Sequence, residues 1–194
     1  MIRRPPRSTQ GVSSAASDVY KRQKWCPGVD FSAGSLGMGL SFGMGCSIAA
    51  RLDGSNRNVF VMVGDGEIQE GSIWEAAMAA KHHELGNLKV ILDRNRIQND
   101  DFCEEQMRMF DIPAKWKAFG WNVKEINGHD MTEVMEGLDF LEAPENCNGP
   151  SILIAHTIKG AGISYMENNP SFHGAAPNDE QFHQAMVELG EVEA

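Results

Sequence analysis

Two short apolar runs each end in a group able to bind a hard cation. Val59 to Val63 leads into Gly64, Asp65 and Gly66, and Val90 to Leu92 leads into Asp93, Arg94 and Asn95. A run of β-branched and aliphatic residues that stops abruptly at polar groups is how a buried parallel strand delivers ligands to its carboxyl end. Asp65 and Asn95 lie thirty residues apart, and a βαβ unit returns the chain to an equivalent strand end after ~30 residues. That spacing puts a carboxylate and an amide oxygen side by side at the carboxyl edge, where open α/β sheets bind ligands. With a nearby backbone carbonyl they make an incomplete oxygen shell, of the kind that Mg²⁺ completes with phosphate oxygens and water. The chemistry expected is Mg²⁺-assisted binding of a phosphorylated cofactor. Gly-Asp-Gly alone is equally an ordinary turn, because Asp-Gly favours tight backbone reversal.

The elements that must position these ends alternate along the chain. Leu36, Leu40, Met44, Ile48 and Leu52 have helical spacing, with glycine at 34, 37, 39, 43 and 45 among them. Glycine inside a helix costs about 0.5–1 kcal/mol relative to alanine, so this density predicts close backbone approach to another helix or to a ligand. A strand is expected over 58–63, then a helix over 69–85 whose narrow apolar face is Ile73, Ala76, Ala77 and Ala80, with Lys81, His82 and Glu84 toward solvent. A second strand over 88–92 completes a βαβ unit. Residues 95–112 form an acidic loop (Asp100, Asp101, Glu104, Glu105) that is long for a mere connection and reads as functional.

Beyond it the pattern predicts a short helix over 113–119, a strand over 121–126, a helix over 131–141 and a strand over 151–156. A glycine-bearing loop follows at 157–162. The last helix has Asn178 as N-cap and Gln181 in the capping-box position, with Phe182, Met186 and Leu189 on one face. The fold class is α/β, a parallel sheet flanked by helices.

Composition bounds the function. A chain of 194 residues with 42% hydrophobic content suits one well-formed core. Its net charge of −10 argues against nucleic-acid or anionic-membrane binding, and no apolar stretch approaches the ~20 residues of a membrane span. Cys26, Cys46, Cys103 and Cys147 lack paired spacing, so neither a zinc site nor a disulfide framework is indicated and a cytoplasmic location is expected. Residues 1–24 differ from the rest: they hold six of the seventeen Lys and Arg against one acid, Asp18. This stretch reads as a non-native leader that resembles a translated sequencing adapter, with genuine upstream sequence missing. The working domain is then 25–194.

The segment from Gly64 to Asn95, GDGEIQEGSIWEAAMAAKHHELGNLKVILDRN, resembles the thiamine diphosphate signature. More narrowly, PGVDFSAGSLGMGLSFGMG, AFGW with INGHD, HTIKGAG and SYMENNPSFHGAAP follow in the order and spacing of the amino-terminal, diphosphate-binding part of transketolase. The likeness runs from about Pro27 to Leu189 and is nearest to the bacterial form made as two chains.

The resemblance implies a thiamine diphosphate-binding fold, incomplete at its N-terminus. It implies Mg²⁺, replaceable by Ca²⁺ or Mn²⁺, held by Asp65, Asn95 and the carbonyl of Ile97. Gly64 and the Gly66 amide would meet the diphosphate, while Gly34 and Leu36 would line the cofactor near its pyrimidine. Glu70 and Glu75 match acids that link two cofactor sites across a dimer interface, against the plainer reading of a solvated helix face. His173, in FHGAAP, matches a histidine over the diphosphate near the reacting carbon, where an imidazole stabilises negative charge. Lys159 would assist an anion. The other histidines, His82, His83, His129, His156 and His183, read as structural or exposed.

Three positions depart from the family pattern: Ser35 replaces a proline, Arg96 a glycine and Asn99 an apolar residue. The implied activity is transfer of a two-carbon ketol unit between sugar phosphates. Its partners would be a carboxyl-terminal transketolase chain and a second copy of the pair, so the isolated chain would hold only part of the catalytic set. Alternatives are deoxyxylulose-phosphate synthase, a 2-oxo-acid dehydrogenase component, or a fragment that binds without turnover. A nicotinamide site is disfavoured, because no apolar strand precedes the Gly39–Gly45 pattern and Tyr20 and Lys24 fall in the leader.

Overall fold

The computed structural model describes residues 29–31, 34–99 and 101–191; the leader expected over 1–24 and Cys26 lie outside the described residues. The elements in chain order are α1 (Met38–Leu52), β1 (Val59–Gly64), α2 (Gly71–His82), β2 (Leu88–Arg94), α3 (Cys103–Gln106), α4 (Ile112–Ala118), β3 (Asn122–Asn127), α5 (Met131–Glu142), β4 (Ser151–His156) and α6 (Asp179–Glu188). The strands pair in the order β1-β2-β4-β3, every pairing parallel. Two compact units result: one comprises residues 35–95 and 107–157 and holds the whole sheet, while the other includes Gly34, 96–106 and 158–191.

Within the sheet unit, Val61, Val90, Ile152 and Val123 line up across the four strands. Because side chains alternate between the faces of a strand, that row and the Val63–Leu92–Ile154 row point to one side. There they pack with Leu40 of α1, Ile73, Ala76, Ala77 and Ala80 of α2, and Trp116 of α4. The small alanine face lets α2 lie close to the sheet, and Trp121 fastens it by donating its indole N–H to the Ala77 carbonyl at 3.0 Å. The opposite side carries Ile91, Leu153 and Ile126 under Leu141, Val134 and Leu138 of α5. Phe60 and Met62 of the edge strand β1 stay 48% and 70% exposed on that side. Burying each large aliphatic side chain contributes roughly 1.5–3 kcal/mol, so these two layers of core are the main support of the sheet.

The glycines of α1 divide in role. A Cβ on Gly43 would lie within 2.3 Å of a Val61 methyl, whereas Gly39 and Gly45 face nothing within 4 Å. The close approaches of this segment are therefore two: Gly43 to strand β1 and Gly37, just before α1, to the start of α2. β2 extends two residues past its expected end, because Asp93 and Arg94 still pair with Ala155 and His156 of β4. Hydrogen bonding rather than hydropathy sets where the strand stops.

In the second unit the acidic loop is partly built. Ile97 bridges Phe102 in antiparallel fashion, and the Cys103 amide donates to the Arg96 carbonyl at 2.9 Å. Asn178 and Gln181 form the reciprocal capping box at the start of α6. That helix buries Ala185, while Phe182 and Leu189 remain 57% and 52% exposed, so its covered face is rotated from the one its large apolar residues suggest. Among the described residues no helix is long and apolar enough to cross a membrane.

Candidate functional site

The parallel register sets Gly64 opposite Asp93. Asp65 therefore leaves β1 beside the last residues of β2, and Asn95 follows directly after Arg94. Asp65 is 1% exposed, and its Oδ2 lies 3.1 Å from Nη1 of the buried Arg94. A buried carboxylate needs such a partner, since an unpaired charge in an apolar setting is costly.

Asn95 is oriented through Asp93. Its Nδ2 donates to Asp93 Oδ2 at 2.9 Å, and the Thr157 hydroxyl donates to Asp93 Oδ1. The Thr157 amide in turn donates to the Arg94 carbonyl at 3.3 Å. An amide whose nitrogen is committed to a carboxylate presents its oxygen as the acceptor, the orientation a metal ligand requires. Asp93, Arg94 and Thr157 do not stand out as site residues in the sequence. Their visible signal is the polar cluster ending β2 and the hydroxyl immediately after β4.

Glu67 makes a second link. It opens the 3-10 turn Glu67–Gln69; its Oε1 accepts from the Gly37 amide at 2.9 Å and its Oε2 from the Gly64 amide at 3.1 Å. Gly37 is the N-cap of α1, at φ 80°, and lends that helix no side-chain cap. The carboxylate of Glu67 thus caps α1 from thirty residues away and ties the Leu36–Gly37 turn to the end of β1. Leu36 is 56% exposed beside it in sequence. Glu70 is the N-cap of α2 and Glu75 lies within the helix, and both are exposed.

Gly34, Ile97, Lys159 and His173 belong to the second unit, and Leu36, Gly64, Asp65, Gly66, Glu70, Glu75 and Asn95 to the sheet unit. Ile97 is 2% exposed and follows Arg96, whose φ of 69° lies in the left-handed region that glycine adopts without cost. The Lys159 carbonyl accepts from the Asn168 amide at 3.0 Å, closing the 159–168 loop. Gly160, at φ 77°, lies so near the Met166 carbonyl that a Cβ would fall 2.5 Å from its oxygen. His173 is half-buried and ends the 3-10 turn Pro170–Phe172, which Asn169 caps.

Among the described residues no group of three or more His, Cys, Asp and Glu side chains gathers into a metal cluster. The donors at the strand ends are instead one carboxylate and one amide. These are hard oxygens, which fit Mg²⁺ rather than a transition metal seeking nitrogen or sulfur.

A parallel sheet with oriented polar groups at its carboxyl edge defines the class: a ligand-binding α/β domain. Residues 20–193 match the family model "Transketolase, thiamine diphosphate binding domain", and the chain belongs to that family. It is 42% identical over 165 residues to one of the subunits of apulose-4-phosphate transketolase from Phocaeicola vulgatus, covering 85% of this chain and 58% of the relative. It is 35% identical over 162 residues to the 6-deoxy-6-sulfo-D-fructose transketolase subunit SqwG of a Clostridium species, covering 84% and 58%. The chain thus spans a little over half the length of these relatives. The transketolase of Campylobacter jejuni superposes with a TM-score of 0.77 at 28% identity, over 84% of this chain and 26% of that one.

Proposed function

We propose that this chain is the cofactor-binding half of a two-chain transketolase, which moves a two-carbon ketol unit between sugar phosphates with thiamine diphosphate and Mg²⁺. The observation that carries the reading is that Asp65 and Asn95 each follow the carboxyl end of one of two adjoining parallel strands, in a chain of this family. Relatives that are themselves named as transketolase subunits support a separate partner chain.

In this reading Asp65, Asn95 and the Ile97 carbonyl hold the cation, and Arg94 and Asp93 keep the two side chains oriented. Gly64 and the Gly66 amide receive the diphosphate, and Gly34 and Leu36 border the pyrimidine. His173 and Lys159 balance negative charge by hydrogen bonding and by cation charge. Glu70 and Glu75, exposed on α2, meet a second copy of the assembly. The cofactor, when bound, supplies the electron sink for carbon–carbon bond cleavage.

The test is to express the chain with and without a carboxyl-terminal transketolase chain, then measure Mg²⁺-dependent thiamine diphosphate binding and ketol transfer. Cofactor binding in the assembled form is expected, and so is its loss on Asp65→Ala or Asn95→Ala. Absence of cofactor binding in every assembled form overturns the reading.

A further inference from the structure

Glu67 has a geometry that its neighbours in the Gly64–Gly71 turn lack. Both of its carboxylate oxygens are used, each on a backbone N–H, and the two amides come from different parts of the sheet unit. One is Gly64, at the carboxyl end of β1 and immediately before Asp65. The other is Gly37, in the turn that follows Leu36 and starts α1.

Gly37 is fixed from its other side as well. A Cβ there would lie 2.4 Å from Ser72 Oγ and 2.8 Å from Glu70 Cβ, so the turn is seated directly on the start of α2. At φ 80° the residue is confined to glycine in practice, and its amide direction is set by the backbone. The carboxylate also supplies the negative charge that α1 lacks in its own first turn. Only a group with two acceptor oxygens and no proton can serve both amides. A carboxamide of the same shape accepts at one oxygen and turns an N–H₂ toward the other amide.

We infer that Glu67 is a positioning residue for the cofactor: it fixes the distance between the Leu36–Gly37 turn and the Gly64–Gly66 turn, so that one ligand spans both. This rests on the thiamine diphosphate reading, in which the first turn meets the pyrimidine and the second the diphosphate. Glu67 touches neither part; it sets the span between them. Inorganic diphosphate needs only the second turn. Thiamine diphosphate needs both at the right separation, and so is the ligand that senses the clamp.

The experiment compares the full chain with its Glu67→Gln and Glu67→Ala variants, each with its carboxyl-terminal partner chain. Affinities for thiamine diphosphate and for inorganic diphosphate are measured calorimetrically at saturating Mg²⁺, and amide exchange is followed at Gly37 and Gly64. In Glu67→Gln, thiamine diphosphate affinity is expected to fall about tenfold, the scale of one charge-assisted hydrogen bond. Inorganic diphosphate affinity should change far less, and exchange should speed up at both glycines. Equal losses for the two ligands indicate general destabilisation and overturn the positioning role, as do unchanged affinities. Unchanged exchange at Gly37 and Gly64 overturns the clamp itself. A wild-type assembly that binds inorganic diphosphate but not thiamine diphosphate refutes the cofactor reading and this role together; selective loss in the variants alone supports both.

Discussion

Arg94 Nη1 lies 3.1 Å from Asp65 Oδ2, a buried ion pair between neighbouring strand ends. Arg94→Met removes one partner of a buried ion pair, which typically costs about 3–5 kcal/mol. Chemical denaturation of Arg94→Met is expected to show a loss near that size. The double variant Arg94→Met with Asp65→Leu should recover much of it. A single variant as stable as the wild type would show that the pair is not a principal support of this edge.

Asp93 accepts from both Asn95 Nδ2 and the Thr157 hydroxyl. Asp93→Asn keeps the shape but removes one acceptor, either from Asn95 or from Thr157. Loss of such an outer partner commonly lowers metal affinity about 10–100-fold. Mn²⁺ titration followed by electron paramagnetic resonance is expected to show a weakening of that order, with the melting temperature changed only slightly. Unaltered Mn²⁺ affinity would remove Asp93 from the site.

Gly86 leaves no space for a side chain: a Cβ there would stand 1.7 Å from the Cys147 carbonyl oxygen. The obstacle is backbone, so it cannot rotate aside. Gly86→Ala is expected to destabilise by about 1–3 kcal/mol, the usual range for overpacking a tight site. Thermal melting checks this, with Gly39→Ala as the control, since Gly39 faces open space and alanine favours a helix.

Lys89 is 1% exposed, and its Nζ has no hydrogen-bond partner. Burial pushes its pKa below the usual lysine value, while Cys147 and Glu142 act in the opposite direction. The unfolded chain therefore holds this proton over a pH range in which the folded chain has released it. Stability contributed at this site rises with pH through the interval from the lowered value to 10.5 and is least below it. Lys89→Met should be more stable than wild type at pH 7 by about 1–3 kcal/mol, the cost of an unsatisfied buried polar group. The difference should shrink as pH approaches the ordinary lysine pKa. A difference that stays constant with pH would assign the effect to packing.

Local signals in the sequence are clear enough to be read directly. The alanine face of α2 follows from a helical period, and the observed buried set is Ile73, Ala76, Ala77 and Ala80. The capping box at Asn178 needs only residues three apart, and β4 spans Ser151 to His156 as its composition indicates. Asp65 and Asn95 lie at neighbouring strand ends because a βαβ unit fixes where its second strand returns.

What stays hidden in the sequence depends on distance along the chain. Thr157 reaches Asp93 across 64 residues and Glu67 reaches Gly37 across 30, and neither contact has a local period to betray it. The insertion of β4 between β2 and β3 is likewise a matter of long-range pairing. On α6, Phe182 and Leu189 at helical spacing are exposed while Ala185 is the buried residue, a rotation of the covered face that local spacing does not reveal.

The insertion of β4 also dictates an order of assembly during synthesis. β1, α2 and β2 can associate as soon as they exist, since β1 and β2 are partners. Among the described strands β3 pairs with β4 alone, so it has no partner until β4 has been made. Thr157, which locks Asp93, comes one residue after β4. The strand ends therefore emerge from the ribosome long before Thr157, and the hydrogen-bonded arrangement of Asp93 and Asn95 is among the last features of the sheet to mature.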